Sequence, residues 1–338
     1  KYILFLGFGV FLVWWSIHKM DEKNWEDCKN ALKTARYWLF IPVFFILSAS
    51  HVSRAIRWKI LMKPMGYNPS LLNTFFAVMI GYLANLAIPR LGEVLKCTIL
   101  GKYEKVPPEK LVGTIIIERA IDVISLGTVF VIALVTQAGV IGDFAKATIN
   151  KYFLTDSKQG LMIKISLLVA VLVAIVVLIR FVSKKFGHNK IIHRLNNLFK
   201  GVVLGLSSVK NMENKKSFIF HSVFIWVCYA GGTYLGFFAL RETAQLPVAA
   251  AFPVLAFASI GMIITPGGIG TYALFIMQVM SLYNIEEGIG FANGNLQWMA
   301  QFLIVLCVGF ISLISLPYYN KGKLKLSGKD EEITAFKS

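Results

Sequence analysis

Apolar runs long enough to cross a bilayer recur along this chain, and two of them are broken by proline and glycine at matching places in its two halves. Residues 165–182 and 217–240 are almost unbroken hydrophobic stretches, close to the roughly 20 residues a helix needs to span the hydrocarbon core. In that solvent each backbone N–H and C=O must be satisfied inside the protein, so spanning segments fold as helices. The first break reads Asn85-Leu-Ala-Ile-Pro-Arg-Leu-Gly-Glu93 and the second Thr265-Pro-Gly-Gly-Ile-Gly-Thr271. Broken helices at corresponding positions of a repeated membrane fold point to a transport site.

Composition agrees. Of 338 residues, 56% are hydrophobic and only 16% charged, where a soluble domain carries about a quarter charged. The net charge is +17, but the basic residues fall in short connectors between apolar runs. That pattern marks cytoplasmic loops facing an anionic leaflet. Nucleic acid is not a predicted partner, because no aromatic–basic platform is present. Cys28, Cys97, Cys228 and Cys307 are widely spaced, without the pairing expected of a metal site or a disulfide framework. Cys228 and Cys307 read as small core residues. No Ser-His-acid set or His-rich cluster occurs, so no catalytic centre, metal or cofactor is predicted.

Hydropathy predicts an all-α polytopic membrane protein with about six spanning helices and two re-entrant hairpins. Residues 2–17 read as an uncleaved first helix, with Trp14-Trp15 at its end as an aromatic belt. Residues 19–36 read as an interfacial amphipathic helix, followed by a span from Tyr37 to a basic end at Arg54, Arg57, Trp58 and Lys59, assigned to snorkelling. Residues 71–88 and 94–101 flank the first break, and 111–137 form a long span. After a connector, 137–160, come a span at 161–182, a basic amphipathic connector at 183–216 and a span at 217–240. Residues 248–265 and 269–283 flank the second break, and 296–316 form the last span. The positive-inside rule places the 54–63 and 183–216 connectors and the 317–338 tail in the cytoplasm, and 241–246 and 284–295 outside. These assignments agree only if each broken segment enters and leaves on one side. The single membrane domain then divides into inverted-topology repeats, 1–136 and 161–316, whose hairpins meet near the midplane.

Three constellations carry the candidate site. In the first break, Pro89 interrupts the helix, Asn85 can serve the freed backbone, and Gly92 permits close approach. Arg90 can hold a phosphate, with Glu93 balancing it and Lys96 a second cation one turn on. Glu118, Arg119 and Asp122 lie in the middle of an apolar span, where ionisable groups are costly and mark a pathway or pairing site. Pro266, Gly267, Gly268 and Gly270 form a backbone motif whose amides and following helix N-terminus suit an anion. Each has a plainer reading: a kinked loop with a salt bridge, a self-neutralising packing cluster, a flexible turn.

These marks resemble the lysylphosphatidylglycerol synthase transmembrane-region family, the flippase-like membrane half of the multiple peptide resistance factor. The match runs from about Phe45 to Leu316, on Asn85/Pro89/Arg90/Gly92/Glu93, Glu118-Arg119 with Asp122, and Pro266-Gly267-Gly268 with Gly270. The resemblance implies translocation or handling of membrane lipid, not its synthesis. The reading as a whole is of a non-enzymatic domain of a bacterial inner membrane, with membrane phospholipids of anionic head group as partners and a homo-oligomer allowed. In one departure, Ala273 stands where the family often has a glutamate that would contact a cationic head group. A solute or ion transporter of the same build, and a membrane enzyme on a lipid-linked substrate, are the alternatives.

Overall fold

The structure is a computed structural model. It describes Gly7, Phe11, Trp14, His18 and residues 20–88, 90–140 and 214–335, with side chains described as far as Lys321. Most of the expected span at 2–17, the span at 161–182, and nearly all of the connectors 137–160 and 183–216 lie outside the described residues. So does Pro89.

The described residues are helical, with no strand among them. Helix α1 (Glu22–Thr34) starts at Asp21, whose side chain accepts from the Asn24 N–H at 2.8 Å, satisfying one orphan donor of the first turn. Helix α2 (Phe40–Met62) is the first long apolar helix. Helices α3 (Leu71–Ala87) and α4 (Leu91–Glu104) flank the first break. Helix α5 (Pro108–Thr136) opens with proline in its first turn, where the missing N–H costs nothing. After the undescribed region come α6 (Lys215–Phe237), α7 (Ala251–Ile264), α8 (Thr271–Ser281) and the long α9 (Glu287–Ala335).

Among the described residues three stretches, Tyr37–Met65, Lys215–Phe237 and Glu287–Lys321, are helical, long and apolar enough to cross a bilayer. Their outward faces present large apolar side chains, among them Phe45, Val227 and Ile314. An exposed apolar belt of this kind is the surface of a protein dissolved in lipid. Cys307, expected in the core, is exposed on this surface, while Cys28, Cys97 and Cys228 are buried. A cysteine on an apolar run of a lipid-bathed helix has no need to point inward.

Each broken segment folds as an antiparallel helix pair. In the first pair, Asn73 hydrogen-bonds Glu104 far from the break, and Gly81 lies against Gly92 near it. A Cβ on Gly92 would collide with the Gly81 carbonyl oxygen, so the glycine is fixed by backbone contact. In the second pair, the Thr271 hydroxyl donates to the Gly261 carbonyl at 2.7 Å. At 1.5 Å per residue, the 17 residues of α3 and 14 of α4 measure about 25 and 21 Å, and the 14 of α7 and 11 of α8 about 21 and 16 Å. Each is shorter than the roughly 30 Å hydrocarbon core.

Helix α9 is the post on which both pairs rest. Its first turns pack on the second pair: Gly290 meets Met277, and Gly294 meets Ala273. Further along, Gly309 meets Leu83 of the first pair, and Asn320 exchanges amide hydrogen bonds of 2.7 and 2.9 Å with Asn73. The sequence reading placed a connector at 284–295, but the helix begins at Glu287. Its glycines are contact points, and buried Asn293 donates to the Gly236 carbonyl at 2.9 Å and the Thr243 hydroxyl at 3.0 Å. Polar residues that looked like a loop are interhelical bonds in an apolar setting. Helix α1 lays its buried face, Cys28 and Ala31, on protein, in a core with Phe237, Leu240 and Ile289. A second core joins α2, the first pair and α5 around Trp58, Leu100 and Leu111.

Candidate functional site

The second core contains a knot of charge. Glu118 lies 10 residues into α5, about 15 Å from its start, and is 1% exposed. Its Oε2 accepts from Lys96 Nζ of α4 at 2.8 Å, and its Oε1 from Arg54 Nη1 of α2 at 3.2 Å. One turn along α5, Asp122 accepts from Arg54 Nη1 and from Arg57 Nη2, each at 2.7 Å. Arg57 Nη2 is also 3.8 Å from Glu118. Arg54 Nη2 donates to the Tyr229 hydroxyl of α6 at 3.1 Å. Lys96 Nζ sits 4.6 Å from the centre of the Trp58 ring, a cation–π contact, and Trp58 Nε1 donates to Thr114 at 2.8 Å. Three cations thus meet two carboxylates, and four helices hold them together.

Arg119 and Glu93 lie toward the outside of this knot, at 43% and 37% side-chain exposure, with Arg119 Nε 3.6 Å from Glu93 Oε1. Arg119 Nη1 is 4.0 Å from Asp122. Glu93 was expected to balance Arg90. Instead it faces Arg119, and Arg90 is exposed, with no hydrogen bond or ion pair among the described residues. Arg90 adopts the left-handed conformation, φ 71°, just before α4, which turns the chain sharply after extended Ile88. Asn85 was expected to serve freed carbonyls with its amide. Its side-chain oxygen accepts the Gly92 N–H at 2.8 Å, capping the start of α4.

At the second break, Gly267, Gly268 and Gly270 all have positive φ, 63°, 73° and 77°, a backbone that only glycine adopts without strain. Part of the expected amide cradle is used within the turn: the Gly268 N–H bonds Thr265 O and the Ile269 N–H bonds Pro266 O. Thr265 Oγ1 lies 2.6 Å from Thr271 Oγ1 and 3.0 Å from the Ile269 carbonyl oxygen, so the two hydroxyls close the break. Trp298 Nε1 of α9 donates to the Gly267 carbonyl at 2.7 Å. The two breaks approach each other here, since a Cβ on Gly267 would lie 3.5 Å from Leu86 Cδ2.

The structure therefore gathers Lys96, Glu118 and Asp122 into one buried cluster, with Arg119 and Glu93 at its edge. Arg90 lies apart, and the glycine break makes no hydrogen bond with the cluster. Arg54, Arg57 and Trp58, assigned by the sequence to a membrane edge, are 5%, 0% and 0% exposed. Charge arithmetic was the missed signal: two carboxylates in one apolar span need more cations than Arg119 supplies. The threonines flanking the second break and Tyr229 were also missed. Ala273 is buried and packs against the α9 backbone at Gly294.

Among proteins of known sequence, the family described as the lysylphosphatidylglycerol synthase TM region matches residues 2–309. A UPF0104 membrane protein of Methanocaldococcus jannaschii is 24% identical over 296 residues, covering 82% of each chain. No solved structure matches.

Proposed function

The chain belongs to the lysylphosphatidylglycerol synthase transmembrane-region family, and from that premise we propose that it is a lipid transporter, moving a phospholipid or lipid-linked head group between leaflets. The observation that carries this reading is the buried cluster of Arg54, Arg57, Lys96, Glu118 and Asp122 inside a lipid-bathed helical bundle. Charges there are expensive and mark pathways. Helix pairs too short to span, with breaks that touch at Leu86 and Gly267, support two re-entrant hairpins related as inverted repeats. Opening one hairpin and then the other exposes the cluster to each side in turn.

Exposed Arg90 receives an anionic head group at the surface, the Arg119–Glu93 pair forms the gate, and the buried cations hold the head group while the acyl tails stay in lipid. The transport reading does not require catalysis. The basic connectors and tail then face the cytoplasm, in the cytoplasmic membrane. A small-anion transporter of the same build is the second reading, favoured by the closed burial of Glu118 and Arg57.

Purified protein in liposomes tests this, by following labelled phospholipids of differing head group from leaflet to leaflet. The expected result is movement reduced at least tenfold by Arg90→Ala or Glu118→Gln. Unchanged movement in both variants removes the assignment of the site, and no movement of any head group removes the lipid reading.

A further inference from the structure

The charge cluster is short of acceptors. Three cations, Arg54, Arg57 and Lys96, face two carboxylates, which leaves one positive charge in excess. Both oxygens of Glu118 and both of Asp122 already accept from a cation. The Nε atoms of Arg54 and Arg57 and the Nη1 of Arg57 are buried without a hydrogen-bond partner among the described residues. Each Nε carries one N–H and Nη1 two, so four donors are unmatched there. Buried donors in this state are rare and demand an explanation, and an uncompensated charge adds to their cost. In the sequence these two arginines served only to mark a cytoplasmic membrane edge, not a site.

What would complete the cluster is an acceptor-rich, donor-poor anion. An amine or quaternary ammonium group brings donors or positive charge and worsens both deficits. A phosphate ester brings negative charge and several acceptor oxygens, and guanidinium is the side chain that matches it best. We infer that Arg54 and Arg57 form an oxyanion subsite that takes the phosphate of the transported molecule, with Glu118 and Asp122 acting as placeholders that hold the arginines when the subsite is empty. The subsite rests on the transport reading for its role and names what the site takes. Arg57 is 0% exposed, so phosphate enters only when α5 or the first hairpin moves away from α2. The Arg119–Glu93 pair, half exposed at that seam, is the contact that parts.

The test is binding, read separately from transport. Detergent-purified protein is titrated with inorganic phosphate, glycerol 1-phosphate and dihexanoyl phosphatidylglycerol, with choline chloride and lysine amide as controls, and thermal unfolding is followed. The expected result is a saturable rise in Tm with at least one phosphate compound and none with the controls. The affinity should weaken at least tenfold in Arg57→Lys, which keeps the charge and loses the fork, and likewise in Arg54→Lys, which carries the test if Arg57→Lys folds poorly. A rise with dihexanoyl phosphatidylglycerol alone assigns the phosphate to a lipid head group, and a rise with all three to phosphate itself. No saturable rise with any phosphate compound, an equal rise with choline, or wild-type affinity in both lysine variants overturns the subsite. Phosphate binding without lipid movement in liposomes would sink the lipid reading and leave the subsite standing, whereas lipid movement without binding would do the reverse.

Discussion

Glu118 is bonded to Lys96 and Arg54 and lies near Arg57, so its neutralisation should be felt by all three. Removing one partner from a buried ion pair typically costs 3–5 kcal/mol. Glu118→Gln should therefore destabilise the protein by about 3 kcal/mol, measured by reversible denaturation in detergent. A change below about 1 kcal/mol would show that the cluster is not held by its charges. Glu93→Gln should cost under about 1 kcal/mol, because its pairing with Arg119 is half exposed and such pairs are worth little. Glu118 and Asp122 were legible in sequence because charge inside an apolar run has few explanations, whereas Lys96 was picked out only by its place one turn after Glu93, and its pairing with Glu118 was not foreseen. Arg54 and Arg57 were not legible, because they stand near the end of their run. Sequence does not show that α4, α5 and α6 wrap that end and exclude solvent from it.

Helix contacts set what glycine can become. Gly92→Ala puts a methyl group into the Gly81 carbonyl oxygen and should cost at least about 2 kcal/mol, since the hairpin must open to admit it. Gly113→Ala, where a Cβ meets nothing within 4 Å, should be neutral or stabilising by up to about 1 kcal/mol. Denaturation of both variants side by side is the check, and equal effects would mean that the Gly81–Gly92 approach is not a packing constraint. Asn293→Ala loses bonds to Gly236 and Thr243 and should cost about 1 kcal/mol, the scale of interhelical bonds in membranes. At this level the two breaks were readable from proline and glycine alone. The early start of α9 was not. Gly288, Gly290, Asn293 and Gly294 have loop composition, and only their packing on Asn24, Met277, Gly236 and Ala273 makes them helical.

Taken whole, the molecule sets two short helix pairs against one long helix. The fixed part is α9, pinned to the second pair through Trp298 and to the first through Asn320. On the transport reading the movable part is the meeting of the breaks, where no polar contact joins Leu86 to Gly267. Transport by alternate opening requires that junction to separate. The most direct measurement is lipid movement by a Leu86→Cys/Gly267→Cys variant, with the native cysteines replaced by serine, reconstituted in liposomes and compared before and after oxidation. The account predicts that the cross-linked protein, verified by mass spectrometry, stops moving lipid and that reduction restores it. Undiminished movement with the cross-link fully formed would contradict it.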